Sequence, residues 1–206
     1  MHLEAITLER KKVFDKLNKF PEFYLAGGTA LALQIGHRRS VDFDLFSKEE
    51  IEKGLLSKIR RVFNGFEVKV AIRHSEQLSV KVNGTKIDFV KYKFPLVLKP
   101  VEFEGIKIAK IPEIMAMKAY ALGYRGTSKD YVDLYFALKD KYMNLNEIKI
   151  IAEKKYKDEF NFRLFLEQLV FLEDFRREDK IEFLQEETNE KKMQEFFEKE
   201  VKKLKK

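Results

Sequence analysis

Cysteine and tryptophan are both absent from the 206 residues. Without a thiol the chain makes no disulfide, builds no zinc–thiolate centre and offers no cysteine nucleophile. No stretch approaches the ~20 consecutive apolar residues that a membrane helix needs. Residues 1–19 interleave charged and apolar side chains and include acids, a pattern of neither a signal peptide nor a transit peptide. A cytoplasmic protein without a membrane partner is the expectation. Internal repeats and low-complexity tracts are missing too. The length admits one domain, or a small catalytic domain with a helical one appended.

Charge is plentiful. Asp, Glu, Lys and Arg make up 36% of the chain, with a net charge of +7. Residues 1–140 hold 25 basic and 18 acidic side chains, whereas residues 141–206 hold 16 of each. The excess therefore lies in the first two thirds, and such a field attracts polyanions or nucleoside triphosphates. A solvated lysine-rich surface gives the same count.

Periodicity predicts a small α+β unit followed by helices. Residues 5–18 read as an amphipathic helix, Phe23 to Ala26 as a short apolar strand, and Thr29 to Gly36 as a helix opened by Gly27-Gly28. Val41 to Phe46 alternates, with Val41, Phe43 and Leu45 on one face and Asp42 and Asp44 on the other. Ser47 and Glu50 have capping-box spacing, which predicts a helix from Ser47 to about Phe63. Strands follow at Phe66–Ile72, Leu78–Val82 and Thr85–Val90, the last two joined by the hairpin signal Asn83-Gly84. Ile106 to Ala109 is one more strand candidate. Pro112 suits a first helical turn, Gly123 a helix stop, and Thr127 with Asp130 a cap for a helix reaching about Asp140. Further helices fit 146–156, 159–175 and 189–204, the last with Met193, Phe196, Phe197 and Val201 on one stripe. The expected boundary between a catalytic core and a helical domain falls near residue 105.

Three acids stand out. Asp42 and Asp44, two apart on a strand, point the same way, and burying such a pair is costly unless a cation neutralises it. Asp88 alternates with the core-facing Ile87 and Phe89, so it faces the opposite side of its own strand. Should the two strands share a sheet, three carboxylates converge. That arrangement suits two Mg²⁺ ions ~3.5–4 Å apart, with Mn²⁺ as a substitute, for in-line displacement at phosphorus. Gly27-Gly28 before a helix lets backbone N–H groups approach a phosphate. Each feature has a plainer reading: an isolated Asp-x-Asp also describes surface acids, and Gly-Gly also describes a turn. Lys129 and Asp133, four apart on one helix face, can be a surface ion pair worth about 0.3–0.5 kcal/mol. Arg38 and Arg39 can hold phosphates or cover the rim of the sheet.

The run LAGGTALALQIGHRRSVDFDLF, Leu25 to Phe46, resembles the nucleotidyltransferase signature of the DNA polymerase β superfamily. More narrowly, it is similar to the AbiEii/AbiGii-type toxin family. IPEIMAMKAYALGYRGTSKDYVDLYFAL, Ile111 to Leu138, extends the likeness: Lys118 matches one family lysine, and Lys129 with Asp133 a Lys-x-x-x-Asp element. The resemblance implies a mixed-sheet nucleotidyltransferase core with flanking helices and a C-terminal helical region. It implies that Gly27 and Gly28 hold the triphosphate of an NTP, helped by the hydroxyl of Thr29 or Ser40. Asp42, Asp44 and Asp88 would bind metal, and Asp88 would help to deprotonate the acceptor. Lys118 and Lys129 would meet phosphate or base, and Asp133 would orient Lys129 or take part in catalysis. Many superfamily members carry Ser where Gly28 stands here.

The implied activity is metal-dependent transfer of a nucleotide to an acceptor hydroxyl, with RNA, at the tRNA 3′ end, as the expected acceptor. The implied role is that of a toxin in a toxin–antitoxin or phage-defence system, with an antitoxin protein as partner. Transfer to a small molecule or a protein, or a catalytically silent nucleotide- or RNA-binding module, are the alternatives.

Overall fold

A computed structural model describes residues 1–172, 175 and 180–204. Seven strands form one mixed sheet: β1 (Tyr24–Ala26), β2 (Phe43–Ser47), β3 (Val68–Arg73), β4 (Gln77–Val82), β5 (Thr85–Lys91), β6 (Val101–Phe103) and β7 (Ile106–Ile108). Their order is β3-β4-β5-β2-β1-β7-β6, with β2–β5 and β1–β7 parallel and the other pairs antiparallel. Eight α-helices lie among the described residues: α1 (Leu8–Phe14), α2 (Gly27–Ile35), α3 (Leu55–Val62), α4 (Ile111–Arg125), α5 (Ser128–Lys139), α6 (Leu145–Tyr156), α7 (Phe162–Phe171) and α8 (Glu190–Lys203). This is the α+β, mixed-sheet arrangement expected. No helix among the described residues is long and apolar enough to cross a membrane.

Alternation sorts the sheet into two faces. Phe43, Leu45, Val80, Ile87 and Phe89 are buried on one, beneath Phe14, Phe20 and Phe63. The Phe20 and Phe89 rings meet edge-on at 5.1 Å, and Phe14 and Phe43 lie 6.0 Å apart. Asp44, Asp88 and their neighbours occupy the other face. The apolar stripe of α8 buries Met193 and Phe197, and Phe196 lies 5.2 Å from the Tyr135 ring of α5.

Turn chemistry holds where it was read. Asn83 and Gly84 take φ of 45° and 80° between β4 and β5, and Gly36 closes α2 at φ 64°. Thr127 and Asp130 form a full capping box at α5. Several boundaries move. The helix expected from Ser47 begins only at Leu55, because Ser47 still pairs with Lys91 as the end of β2. The long helix expected at 5–18 is α1 alone, flanked by 3-10 turns at Leu3–Ala5 and Leu17–Lys19. Gly123 does not stop α4, which runs to Arg125. The 159–175 helix shrinks to α7, capped by Asn161; residues 173 and 174 of that expectation lie outside the described residues. Strand β6 was not foreseen. It pairs with β7 across Glu104-Gly105, so this hairpin spans residue 105, and β7 joins the sheet through Leu25 and Ile108.

Candidate active site

The β2–β5 register places Asp44 directly beside Asp88 on adjacent parallel strands, so both side chains project from the open face. Asp88 is 7% exposed; its Oδ2 accepts a 2.6 Å hydrogen bond from Lys86 Nζ, while its buried Oδ1 has no hydrogen-bond partner. Asp44 is half-buried. Burial first, then the charges of Asp88 and Asp42, push its carboxyl up to about 6, against the pull of Lys86 and Lys118. Asp42 is half-buried too and contributes to that field, but no three His, Cys, Asp or Glu side chains among the described residues close into a metal-binding cluster. The acids thus form a pair with a third at longer range.

Opposite the pair, β1 ends and α2 begins at Gly27-Gly28. Gly27 sits at φ +70°, and a Cβ there would lie 2.4 Å from Asp44 Oδ2. Glycine is required twice over, by the left-handed backbone and by the approach of Asp44. A cavity of about 600 Å³ opens between these elements and α4, lined by Gly27, Gly28, Asp44, Lys86, Asp88, Lys118, Tyr120 and Tyr124 among others. Its wall continues into packed rings: Phe46–Tyr92 at 5.4 Å, Phe94–Tyr156 at 4.7 Å and Tyr120 stacked on Tyr156 at 4.0 Å. The Tyr92 and Tyr156 hydroxyls share a 2.7 Å hydrogen bond.

Behind the glycine turn lies a second cluster, centred on the fully buried Asp133. Its Oδ1 accepts from Arg38 Nε at 2.7 Å and lies 2.6 Å from His37 Nε2; its Oδ2 accepts from Arg38 Nη2 at 2.9 Å and pairs with Lys118 Nζ at 2.6 Å. Burial alone would raise the Asp133 carboxyl, but Arg38 and Lys118 outweigh it and hold the group well below the usual carboxylate range. Burial lowers His37 below the ordinary histidine range despite its bond to Asp133, so the neutral ring donates from Nε2. Lys118 also donates to Asp130 at 2.8 Å, giving that capping residue a second role. The two carboxylates outweigh burial and keep the ammonium charged.

These positions change several expectations. Asp133 orients Lys118 and Arg38 rather than Lys129: the Lys129–Asp133 ion pair does not occur among the described residues, because Asp133 turns into the core and Lys129 stays half-buried. Nor does Asp133 face the cavity, so it is not placed for catalysis. The hydroxyls of Thr29 and Ser40 are turned inward, 2.6 Å from each other, and Thr29 Oγ1 also donates to the Asp42 carbonyl, so neither points at the cavity. Arg38 covers no rim; it is a buried clasp. A Cβ on Gly28 would fall 2.4 Å from Arg38 Nη2, which explains glycine at the position where the resemblance led to an expectation of serine. Lys86 went unnoticed, although its place two residues before Asp88 on a strand puts both on one face.

Comparison with known proteins agrees with this architecture. Residues 12–205 match the family described as "Nucleotidyl transferase AbiEii toxin, Type IV TA system". A protein of Aquifex aeolicus (strain VF5), itself described as uncharacterized, is 36% identical over 207 residues, covering 97% of this chain and 98% of that one. Among solved structures, a Helicobacter pylori protein assigned to the nucleotidyltransferases superposes with a TM-score of 0.59 at 20% identity, over 98% of this chain and 97% of that one. MenT4, a nucleotidyltransferase toxin of Mycobacterium tuberculosis H37Rv, gives 0.62 at 15% identity, over 92% and 80%. The sheet, the glycine turn and the paired acids therefore belong to a member of the AbiEii nucleotidyltransferase toxin family.

Proposed function

We propose that this protein transfers a nucleotide from an NTP to a hydroxyl of an RNA acceptor, the tRNA 3′ end foremost, releasing pyrophosphate, and that an antitoxin protein restrains it. The observation that carries the reading is the Asp44–Asp88 pair, held side by side and facing a cavity bounded by the Gly27-Gly28 turn.

The residues fit a divalent cation. Asp88 Oδ1 is buried without a hydrogen-bond donor among the described residues, and Asp44 is disfavoured as an anion by burial first and then by Asp88 and Asp42. Asp44 and Asp88 would hold Mg²⁺, with Asp42 adding negative field. Bound there, the ion would neutralise triphosphate charge and make an attacking hydroxyl more acidic. The chain's own groups do the rest. Gly27 and Gly28, which open α2, line the cavity, and the free N–H groups of that first turn would suit phosphate oxygens. Lys118, kept charged by Asp130 and Asp133, supplies a fixed cation on the cavity wall. Asp88 stands ready to accept the acceptor's proton.

The test is to incubate the protein with each labelled NTP, Mg²⁺ and total tRNA, with Asp44→Asn alongside. Label is expected on RNA with the parent protein and reduced at least about 100-fold in the variant, since losing even an outer-shell partner of a metal typically costs 10–100-fold. Label on RNA that survives in Asp44→Asn refutes the mechanism. Label on protein or on a small molecule refutes the acceptor.

A further inference from the structure

The open face does not end at the cavity. Lys86 on β5 pairs directly with Lys81 on β4, and Lys81 pairs directly with Lys69 on β3. Directly opposed residues of an antiparallel ladder project from the same face, so the three lysines form one row across three strands. It is the face of Asp88, because Lys86 and Asp88 are two apart on β5, and Lys86 itself lines the cavity. Like charges placed directly opposite each other destabilise a sheet. Among the described residues the anions paired with the row are at its ends: Lys86 holds Asp88 at 2.6 Å, and Lys69 meets Glu67 at 2.9 Å in a pair more than 60% exposed on both sides, where such contacts are worth little. Lys81, in the middle, is exposed and forms no ion pair among the described residues.

We infer that this row is the track for the phosphate backbone of a polynucleotide acceptor, leading from the β3 edge to Asp88. The inference rests on the proposed transfer reaction and names where its acceptor lies. Neighbouring strands are ~4.8 Å apart, so the cations repeat on the same few-ångström scale as the phosphates of one nucleic-acid strand, ~3.4 Å apart along the axis. A protein partner would need a desolvated aromatic or apolar anchor. The row itself has none: beside it on the open face stand Ser79 and Gln77, hydrogen-bonded to each other at 3.0 Å, with Val90 opposite Gln77 in the cavity wall and Ile72 opposite Ser79 as a single exposed aliphatic side chain rather than an enclosed anchor. Its inner end meets the acids proposed to handle the attacking hydroxyl.

The test uses the full chain and the double variant Lys69→Gln/Lys81→Gln, two exposed side chains outside the catalytic pair. Binding of a labelled single-stranded oligoribonucleotide is measured against salt, and NTP affinity is measured in parallel. Each contact with a single strand contributes about 0.7 to the slope of log K against log salt. Losing two should lower the slope by about 1.4 and weaken binding about 25-fold at ~0.1 M salt, with NTP affinity unchanged. An unchanged slope overturns the track. So does a variant that binds the oligoribonucleotide normally but loses binding to polyglutamate, since the row would then serve an acidic protein. The two readings fail separately: a parent protein that transfers no nucleotide yet shows the lysine-dependent slope breaks the reaction and keeps the track. Unimpaired RNA labelling by the double variant at every salt concentration does the reverse.

Discussion

Asp133 and Asp44 sit on either side of the glycine turn in opposite surroundings. Asp133 is enclosed by Arg38, Lys118 and a donating His37, and its carboxyl is held far down. Asp44 faces Asp88 and Asp42, with its carboxyl raised to about 6. The first acid has spent its acceptor capacity inside the protein. The second keeps acceptor capacity free in its neighbour's Oδ1, and Asp44 is worse off as an anion than it would be in water. A carboxylate left in that condition is waiting for a ligand; one fully matched is scaffold.

The largest expected effect comes from Asp133→Ala. It would leave Arg38 buried without an anion and Lys118 with Asp130 alone, and breaking a buried pair in this way costs about 3–5 kcal/mol. Urea unfolding measures it, and a loss below about 1 kcal/mol would deny the scaffold role. Because the folded pKa is depressed, this stabilisation is complete above the unfolded value near ~3.9 and vanishes only as pH falls through the folded one.

Asp44→Asn should act in the opposite direction. A carboxyl raised to about 6 makes the folded state bind the extra proton, so the parent loses stability as pH climbs from ~4 through that value. Without divalent cations, the variant should be more stable at pH 7.5 by up to about 3 kcal/mol, and the two proteins should converge near pH 4. Equal thermal midpoints at pH 7.5 would mean that Asp44 carries no such burden.

Gly28→Ser touches the boundary between the two clusters. Its Cβ would press on the Arg38 guanidinium, which Asp133 grips with two hydrogen bonds, so a penalty of about 1–3 kcal/mol is expected. In a double-mutant cycle, Asp133→Ala should relieve part of that penalty. Strict additivity would show that the clasp does not set the turn.

What the sequence disclosed follows the range of each interaction. The Asn83-Gly84 turn, the Thr127–Asp130 box and the stripe of α8 are local, and each was legible. Strand β6 was hidden because its turn places Glu104 at φ 51°, where glutamate is rarely found. Ser47 reads as a helix cap until β5 is known to lie beside it. The acids of β2 and β5 could be assigned to faces from alternation, whereas their adjacency depends on a parallel pairing that no local signal encodes. Asp133 was misread for the same reason: its partner four residues away was visible, and Arg38, 95 residues away, was not.

The rings beside the cavity bear on how the proposed nucleotide would enter. Tyr92 and Phe94 follow the sheet, Tyr120 and Tyr156 belong to the helices, and stacking plus a shared hydroxyl contact joins them. Parting the two walls would break several aromatic pairs, each worth about 0.5–1.5 kcal/mol beyond its buried area. The packed wall therefore resists parting, and the proposed substrate would be accommodated by fitting the slot's dimensions rather than by prising a jaw apart.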